Sequence, residues 1–417
     1  MMSKETRVAI VSGARTPFVK AMTVFKNQKA EDLSVAAVNG TLEKSGIDVK
    51  DVDFLSWGIT VVDSRIPNMA RHVVLNSNLT PSTRAMTITD NCISGTSAIQ
   101  HIYHQIKEGR IEVGIAGGVD SMSNPVLRFN EKATRIFADS AFMKTMGEQL
   151  KAFSKLRPKD FFPERPGVAE PFTGLTMGEH CELMVKEWNI SREAQDELAA
   201  RSHQRAAAAT EDGRLGEEIV PVNGVEKDGL VRPGTTAEKL AGLKPCFDRS
   251  SAGTLTAANS SALTDGASAV MLMSEERAKK EGLEILAFIE DFEVASIDPD
   301  DGLLMAPAVA MPRMLKRNKV TFDDLDIVEV HEAFAGQVEC NRAAWKQGWK
   351  EPAVGEIPED KLNPQGSSIA LGHPFSATGG RIALSLALQL KRTGGKRGAM
   401  SVCAAGASGT TMLLSRD

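Results

Sequence analysis

Two cysteines and one histidine are the reactive side chains that stand out in this sequence. Cys92 lies in Asp90-Asn91-Cys92-Ile93-Ser94, Cys403 follows Ser401-Val402 far downstream, and His373 lies between Gly372 and Pro374. A thiolate is the reactive form of cysteine, and a neighbouring histidine can take the proton of the thiol. With a second thiol to move another proton, such a set could make or break a carbon–carbon bond through a thioester. We expect no metal or redox cofactor.

The surroundings of Cys92 favour a nucleophile. A predicted strand ends just before it, and a predicted helix over residues 92–108 places Cys92 in the first helical turn. Unpaired N–H groups and the helix dipole would there lower the pKa of the thiol. An isolated cysteine is more often a buried structural residue, so the position of Cys92 alone does not establish a catalytic role.

His373 and Cys403 each follow small or apolar residues at the predicted end of an element. Pro374 suits a first helical position, which places His373 at a helix N-terminus, where a positive imidazolium is disfavoured and the ring can act as a base. Cys403 ends a predicted strand and enters a turn of small residues that can present backbone N–H groups to an oxyanion.

Short apolar strands and amphipathic helices alternate in the first part of the chain. This alternation predicts parallel strands joined by helical crossovers. We predict strands over 8–11, 54–60, 85–89 and 113–116, and helices over 30–42, 69–75 and 92–108.

The same order recurs after residue 284, which predicts an internal duplication. Residues 51–55 and 323–328 are similar and each follow an amphipathic helix, and residues 109–118 resemble residues 395–404. Two copies of one α/β unit are the economical interpretation. The alternative is that any two βα units look alike.

The composition changes between the two copies. Residues 123–246 contain clusters of Pro, Gly and charged residues and one clear predicted helix, over 191–209 with Ser191 as N-cap. We therefore predict a first half at 1–122 plus 247–276, an inserted loop or lid domain at 123–246, and a second half at 277–417.

One stretch of this insertion, residues 126–165, is basic and rich in phenylalanine. It contains nine Lys or Arg residues against five acidic residues, with six Phe residues interleaved. The pattern is typical of a basic amphipathic helix that meets an anionic membrane surface or a partner subunit. The alternative is a lid that only covers the active site.

The overall composition narrows the class of protein. The chain has 417 residues, 42% hydrophobic content and a net charge of −5, which predict several packed domains and argue against a nucleic-acid-binding protein. Five cysteines without a CxxC pair favour free thiols in a reducing compartment. Because no stretch resembles a signal peptide or a membrane span of roughly 20 apolar residues, we expect a cytoplasmic location.

Seven short blocks of reactive and small residues lie along nearly the whole chain. They are Arg15-Thr16-Pro17-Phe18, Asn91-Cys92-Ile93-Ser94-Gly95, Ala116-Gly117-Gly118-Val119-Asp120-Ser121-Met122, Thr256-Ala257-Ala258-Asn259-Ser260-Ser261, His331-Glu332-Ala333-Phe334-Ala335, Gly372-His373-Pro374 and Cys403-Ala404-Ala405-Gly406. In type and order these blocks resemble the motifs of the thiolases, enzymes that cleave or form 3-ketoacyl-CoA. The resemblance implies the thiolase fold, with two similar α/β/α/β/α halves and a loop domain inserted in the first.

The resemblance also implies roles for the reactive residues. Cys92 corresponds to the nucleophile that is acylated, His373 to the base that activates it, and Cys403 to the acid/base at the α-carbon. The backbone N–H groups of Cys92 and Ala405 correspond to an oxyanion hole. No cofactor is implied, and coenzyme A is a co-substrate.

Two departures from the family pattern leave every reacting group in place. His331 stands where most thiolases have an oxyanion-hole asparagine, and His331-Glu332-Ala333-Phe334 resembles the thiolase subunits of fatty-acid β-oxidation complexes. Cys403-Ala404-Ala405-Gly406 replaces the more usual Cys-x-Gly pattern, so that alanine stands at position 405. Because this residue contributes only its backbone N–H, the change should be tolerated. Expected contacts to CoA are Arg232, Ser261, Met177, Phe247 and Phe334.

The resemblance implies partners and leaves alternatives open. We expect acyl-CoA and CoA as ligands, a homodimer or tetramer, and either a hydratase/dehydrogenase subunit or a membrane at residues 126–165. A biosynthetic acetoacetyl-CoA thiolase and a non-catalytic acyl-CoA-binding scaffold are alternatives. A ketoacyl synthase would be expected to have a second histidine in place of Cys403.

Overall fold

The computed structural model describes residues 6–164, 167 and 169–417. Strands are β1 (Val8–Arg15), β2 (Val19–Lys20), β3 (Phe54–Ile59), β4 (Arg84–Ile88), β5 (Val113–Ser121), β6 (Thr264–Ser274), β7 (Ala287–Ser296), β8 (Ile327–Val330), β9 (Arg397–Ala404) and β10 (Ser408–Ser415). Helices are α1 (Ala30–Ser45), α2 (Met69–Asn76), α3 (Ser94–Lys107), α4 (Glu131–Ser140), α5 (Met146–Phe153), α6 (Met177–Glu187), α7 (Arg192–Glu211), α8 (Ala237–Ala241), α9 (Glu275–Lys280), α10 (Pro307–Asn318), α11 (Ala335–Gln347), α12 (Ser368–Leu371) and α13 (Ala377–Thr393).

The strands form one mixed sheet in which the same pairing pattern occurs twice. The order is β4-β3-β5-β6-β1-β7-β10-β9-β8, with β2 beside β6. β3 and β5 pair in parallel, and β5–β6 and β6–β1 are antiparallel. β8–β9, β9–β10 and β10–β7 repeat this sequence of parallel, antiparallel and antiparallel pairs. The predicted duplication is therefore confirmed.

The prediction of parallel strands is only partly right. β3, β4 and β5 are parallel as expected, but β1 pairs antiparallel with β6 and β7. β9 and β10 are joined by a short turn, and such a turn can connect only antiparallel neighbours. The alternation of elements does not reveal this turn, because it shows element order and not strand direction.

Helices cover the sheet in layers, as the predicted α/β/α/β/α fold requires. Apolar side chains of α3 and α13 pack together between strands of both halves. On the opposite face, α1 and α2 cover β3 and β5 of the first half, and α10 and α11 cover β8 of the second. In β1, Val8 and Ile10 face the central layer while Ala9 faces α1, which follows from the two-residue period of a strand. The layers bring the starts of α3 and α13 together.

The insertion contains more helix than its sequence indicates. The predicted helix at 191–209 is confirmed as α7, with the Ser191 hydroxyl accepting the Ala194 N–H at 3.1 Å. α4, α5, α6 and α8 were not predicted, because Pro, Gly and charged residues interrupt the apolar periodicity there. The proposed boundaries at 122, 246 and 276 stay a prediction.

The basic stretch forms two short helices and not one long amphipathic helix. Phe137 of α4 contacts Phe129, Phe153 and Phe161, with ring centroids 5.3, 5.8 and 6.5 Å away. This cluster accounts for part of the aromatic content as local packing. Arg165, counted among the basic residues, lies outside the described residues.

Candidate active site

Cys92 lies in a tight turn between β4 and α3. Asn91 has a φ of 47°, a left-handed conformation that asparagine tolerates better than most residues. The Ser94 hydroxyl accepts the Asp90 N–H at 2.7 Å and donates to the Asn91 carbonyl at 2.6 Å, which closes the turn. The sequence predicted that Cys92 lies in the first turn of α3. This prediction is wrong, because α3 begins only at Ser94 and Cys92 precedes the helix.

The Cys92 thiol is neutral in this environment. Burial raises its pKa to about 12, and the opposing hydrogen bonds from the Ala405 N–H and its own N–H do not compensate. The expectation of a lowered pKa is therefore wrong, because loss of hydration outweighs the N–H groups. The thiol needs a base. The two N–H groups predicted as an oxyanion hole do lie at the sulfur.

His373 is held in the turn before α13 as a neutral imidazole. Its backbone N–H donates to the Thr264 hydroxyl at 3.1 Å, and its ring Nδ1 lies 2.6 Å from the Thr378 hydroxyl. Burial, and then the charge of Arg381, lower its pKa to about 3. The expected lowering of the His373 pKa is confirmed, but burial and not the helix N-terminus is its main cause. The helix α13 begins at Ala377 and not at Pro374, so His373 lies farther from the helix start than predicted.

His331 follows β8 and packs against His373. The two ring centroids are 4.1 Å apart, and His331 Nδ1 lies 2.8 Å from the Ser368 hydroxyl. Burial, with the charges of His373 and Arg381, holds the pKa of His331 well below its usual range. Both imidazoles are therefore neutral at physiological pH.

Cys403 lies near the end of β9 and faces the same site. Burial raises the pKa of its thiol far above the usual range, and the charge of Cys92 adds to this shift. The turn after β9 is fixed on both sides: the Asn91 amide donates to the Ala405 carbonyl at 3.1 Å, and the Gly406 N–H donates to Glu170 at 2.9 Å. The fold thus assembles Cys92, Cys403, His373 and His331 from distant segments.

Asp120 joins the two halves next to these residues. Its buried carboxylate accepts N–H groups from Thr60, Val61 and Ser376 at 3.0, 2.7 and 2.8 Å. Burial raises the pKa of Asp120 to about 6. The sequence identified Asp120 only as part of a motif, and nothing in its spacing pointed to Thr60 or Ser376 as its partners.

Three of the expected CoA contacts share an apolar cluster with Cys403, a fourth bonds to a member of that cluster, and the fifth lies elsewhere. Met177, Phe247 and Phe334 belong to the apolar cluster that includes Cys403, and the Phe247 and Phe334 rings meet edge to face at 5.7 Å. The Ser261 N–H donates to the Ala333 carbonyl at 2.9 Å next to Phe334. Arg232 is exposed on another loop, where its N–H donates to His203.

Comparison with known proteins decides the family. The model of the thiolase N-terminal domain matches residues 8–276, and that of the thiolase C-terminal domain matches residues 283–416. The chain belongs to the thiolase family. Its structure resembles the crystal structure of the Bacillus anthracis acetyl-CoA acetyltransferase, with a TM-score of 0.83 and 31% identity over 99% of both chains. The predicted thiolase fold is therefore confirmed.

Several thiolases of known sequence are more similar still. The 3-ketoacyl-CoA thiolase of Pseudoalteromonas translucida is 42% identical, and that of Klebsiella pneumoniae is 39% identical. Each alignment spans 99% of this chain and 97% of the relative. Within the described residues, no helix of this thiolase is both long and apolar enough to cross a membrane.

Proposed function

We propose that the chain is a 3-ketoacyl-CoA thiolase of fatty-acid β-oxidation, which uses CoA to cleave 3-ketoacyl-CoA into acetyl-CoA and a shortened acyl-CoA. The observation that carries this proposal is that Cys403 interacts with Cys92, while His373 packs against His331 and lies in the turn whose Ser376 meets Gly95 beside Cys92. CoA acts as co-substrate. Side chains supply the nucleophile and every proton acceptor in the steps below, so the proposal includes no cofactor.

In the first half-reaction Cys92 takes the acyl group. His373 removes the thiol proton as the sulfur attacks the keto carbon, because a thiol with a pKa of about 12 is unreactive on its own. The N–H groups of Cys92 and Ala405 stabilise the oxyanion on that carbon. The bond between the keto carbon and the α-carbon then breaks, and its electrons form the enolate of acetyl-CoA.

Cys403 then completes acetyl-CoA by donating its proton to the α-carbon of the enolate. Neutral His331 and His373, which now carries the Cys92 proton and packs against His331, would both donate to the thioester oxygen, which carries the enolate charge. In the second half-reaction the Cys403 thiolate takes the proton of the incoming CoA thiol, whose sulfur attacks the acyl-enzyme. His373 returns its proton to Cys92.

Substrate length distinguishes this proposal from its enzymatic alternative. The purified chain should cleave both acetoacetyl-CoA and 3-ketopalmitoyl-CoA in a spectrophotometric thiolysis assay. Cleavage of acetoacetyl-CoA alone would favour the biosynthetic thiolase. Binding of acyl-CoA without cleavage would favour a scaffold and contradict the proposal.

We also propose that the chain forms a homodimer or tetramer in the cytoplasm. β4 is an edge strand of the sheet, and Met86 on it is 38% exposed. An open edge presents unpaired backbone groups that a second copy can pair with. Sedimentation velocity should give a dimer or a larger species, and a monomer at micromolar concentration would contradict this.

Residues 126–164, which we call the basic helical surface, are proposed to dock on an anionic membrane. Exposed lysines and exposed apolar side chains alternate along this stretch. Those exposed by more than half are Leu127, Phe142, Met146, Leu150, Phe161 and Phe162. Apolar contact with lipid and roughly 1 kcal/mol for each lysine near anionic headgroups would act together. The alternative occupant is the hydratase/dehydrogenase subunit of a β-oxidation complex.

Charge reversal tests this surface. The variant carries Glu at Lys144, Lys151, Lys155 and Lys159. It should no longer sediment with phosphatidylserine vesicles, while cleavage of acetoacetyl-CoA continues. A matched control carries Glu at the exposed residues Lys50, Lys280, Lys316 and Lys319. Equal sedimentation of both variants and the parent would leave the stretch a lid, and loss only of co-purification with the hydratase subunit would identify that partner.

A further inference from the structure

Arg381 is a fully buried cation at the back of the active site. It lies on α13, and its nearest carboxylate, that of Glu329, is 3.8 Å away. Its Nη2 donates to the hydroxyls of Ser367 and Ser368 at 3.2 and 3.0 Å. A buried guanidinium is costly unless its donors are paired, and here two adjacent serines accept from the same nitrogen.

The Ser368 hydroxyl passes this contact on to His331. A hydroxyl has one proton and two lone pairs, and one lone pair of Ser368 accepts from Arg381. Within the described residues, the other partner of this oxygen is His331 Nδ1 at 2.8 Å. If Ser368 donates its proton to Nδ1, the hydroxyl proton is bonded to His331 and one oxygen lone pair is bonded to Arg381. If instead Nδ1–H donated to Ser368, the hydroxyl proton would be buried without an acceptor.

The remaining nitrogen of His331 fits the same assignment. Nε2 is buried and has no hydrogen-bond partner among the described residues. With Nδ1 as the acceptor, Nε2 carries the proton of the neutral ring and is a donor without an acceptor. A substrate oxygen would supply that acceptor, whereas an Nδ1–H tautomer would offer it only a repelling lone pair.

His373, 4.1 Å away, needs the opposite tautomer. A base for Cys92 must have a free lone pair on Nε2, which places its proton on Nδ1, beside the Thr378 hydroxyl. The two rings thus have separate supports, Ser368 for one and Thr378 for the other. One ring is arranged to accept a proton and the other to donate a hydrogen bond.

Burial, assisted by the neighbouring Arg381 cation, keeps the pKa of His331 low and the ring neutral. The charged and titratable groups that act on it are His373 and Arg381. Glu329, on β8, is bonded to Gln389 and lies near Arg381. Glu332, the next residue in the chain, is bonded to Ser202 and Asn363 and to the Ile369 N–H.

We propose that Arg381 and Ser368 are positioning residues that fix His331 as the neutral tautomer with its proton on Nε2, and so make it a hydrogen-bond donor to the thioester oxygen. The proposal rests on the proposed thiolase function for the identity of that oxygen. The tautomer itself is independent of the reaction.

The tautomer can be read directly in the unmodified enzyme. Protein labelled with ¹⁵N-histidine should show a pyridine-type Nδ1 and a pyrrole-type Nε2 for His331 between pH 6 and 8, with the signals assigned by their loss in His331→Gln. A protonated Nδ1, or a doubly protonated ring, would overturn the proposal. Absence of thiolysis by the same sample would instead contradict the proposed function.

Two adjacent serines provide a matched pair of variants. Ser367→Ala and Ser368→Ala each remove one hydroxyl from Arg381, but only Ser368 contacts His331. A complete oxyanion donor contributes about 10²–10³ in kcat, so partial loss of the tautomer in Ser368→Ala should lower kcat about tenfold or more, with KM nearly unchanged. Ser368→Thr keeps the hydroxyl and should restore kcat. Equal kcat losses in Ser367→Ala and Ser368→Ala would show that the serines only solvate Arg381, which contradicts the relay.

Discussion

Gly95 sets how closely the Cys92 turn approaches the His373 turn. It is the second residue of α3, and a Cβ added there would lie 2.2 Å from the carbonyl oxygen of Ser376, the residue before α13. Real Cβ contacts begin above 3.0 Å. Gly95→Ala must therefore push the starts of α3 and α13 apart by about 1 Å, since backbone atoms on both sides cannot rotate away.

The same displacement should affect catalysis more than folding. Overpacking of this kind costs about 1–3 kcal/mol of unfolding free energy. A misplacement of about 1 Å between reacting groups lowers the rate about 100-fold. We therefore expect Gly95→Ala to remain folded and to lose about two orders of magnitude in kcat, because Cys92 moves with α3 and His373 with α13.

Urea unfolding and thiolysis of acetoacetyl-CoA measure the two effects on one sample. Gly147→Ala is the control, since Gly147 lies in helix α5 and an added Cβ meets nothing within 4 Å. This variant should keep its kcat. Its unfolding free energy should stay the same or rise by up to about 1 kcal/mol, which leaves its urea midpoint equal or higher. A folded Gly95→Ala enzyme with kcat within about threefold of the parent would refute the claim that this contact sets the catalytic geometry.

Further predictions concern the proton-transfer groups. Cys403→Ala should still be acylated at Cys92 but should not exchange the methyl protons of acetyl-CoA with deuterated water, as followed by NMR; unimpaired exchange would assign the proton to another group. His373 has a folded pKa of about 3, below the usual value of 6.5, so unfolding takes up a proton there below pH 6.5. Its contribution to stability is thus complete above pH 6.5 and is lost towards pH 3, at about 1.4 kcal/mol per pH unit. His373→Asn should reduce the pH dependence of the unfolding free energy by that slope, and equal slopes in variant and parent would contradict a buried neutral His373.

The sequence was informative where local pattern and position decide the structure. The helices over 30–42, 69–75 and 191–209 were located to within a few residues from local pattern, and Ser191 marked the start of the last one. The duplication was visible because two similar segments, 109–118 and 395–404, follow similar helices. Cys92, His373 and Cys403 were found because reactive side chains occur next to small residues at the ends of elements.

Features that depend on contacts between distant segments were missed. The pKa of Cys92 was expected to fall, but burial in the folded chain raises it. Arg381 looks like an ordinary surface residue of an amphipathic helix until α13 is placed in the central layer. Its partners Ser367 and Ser368, and the ties from Asp120 to Ser376, involve separations in sequence that no local pattern encodes.

The site of acylation is the central claim, and mass spectrometry tests it most directly. The enzyme is mixed with 3-ketooctanoyl-CoA without free CoA, quenched in acid and digested with trypsin, which separates Cys92 from Cys403. We predict a hexanoyl group on the Cys92 peptide, none on the Cys403 peptide, and loss of the adduct in Cys92→Ser. A hexanoyl group on Cys403, or turnover that continues in Cys92→Ser, would contradict the account.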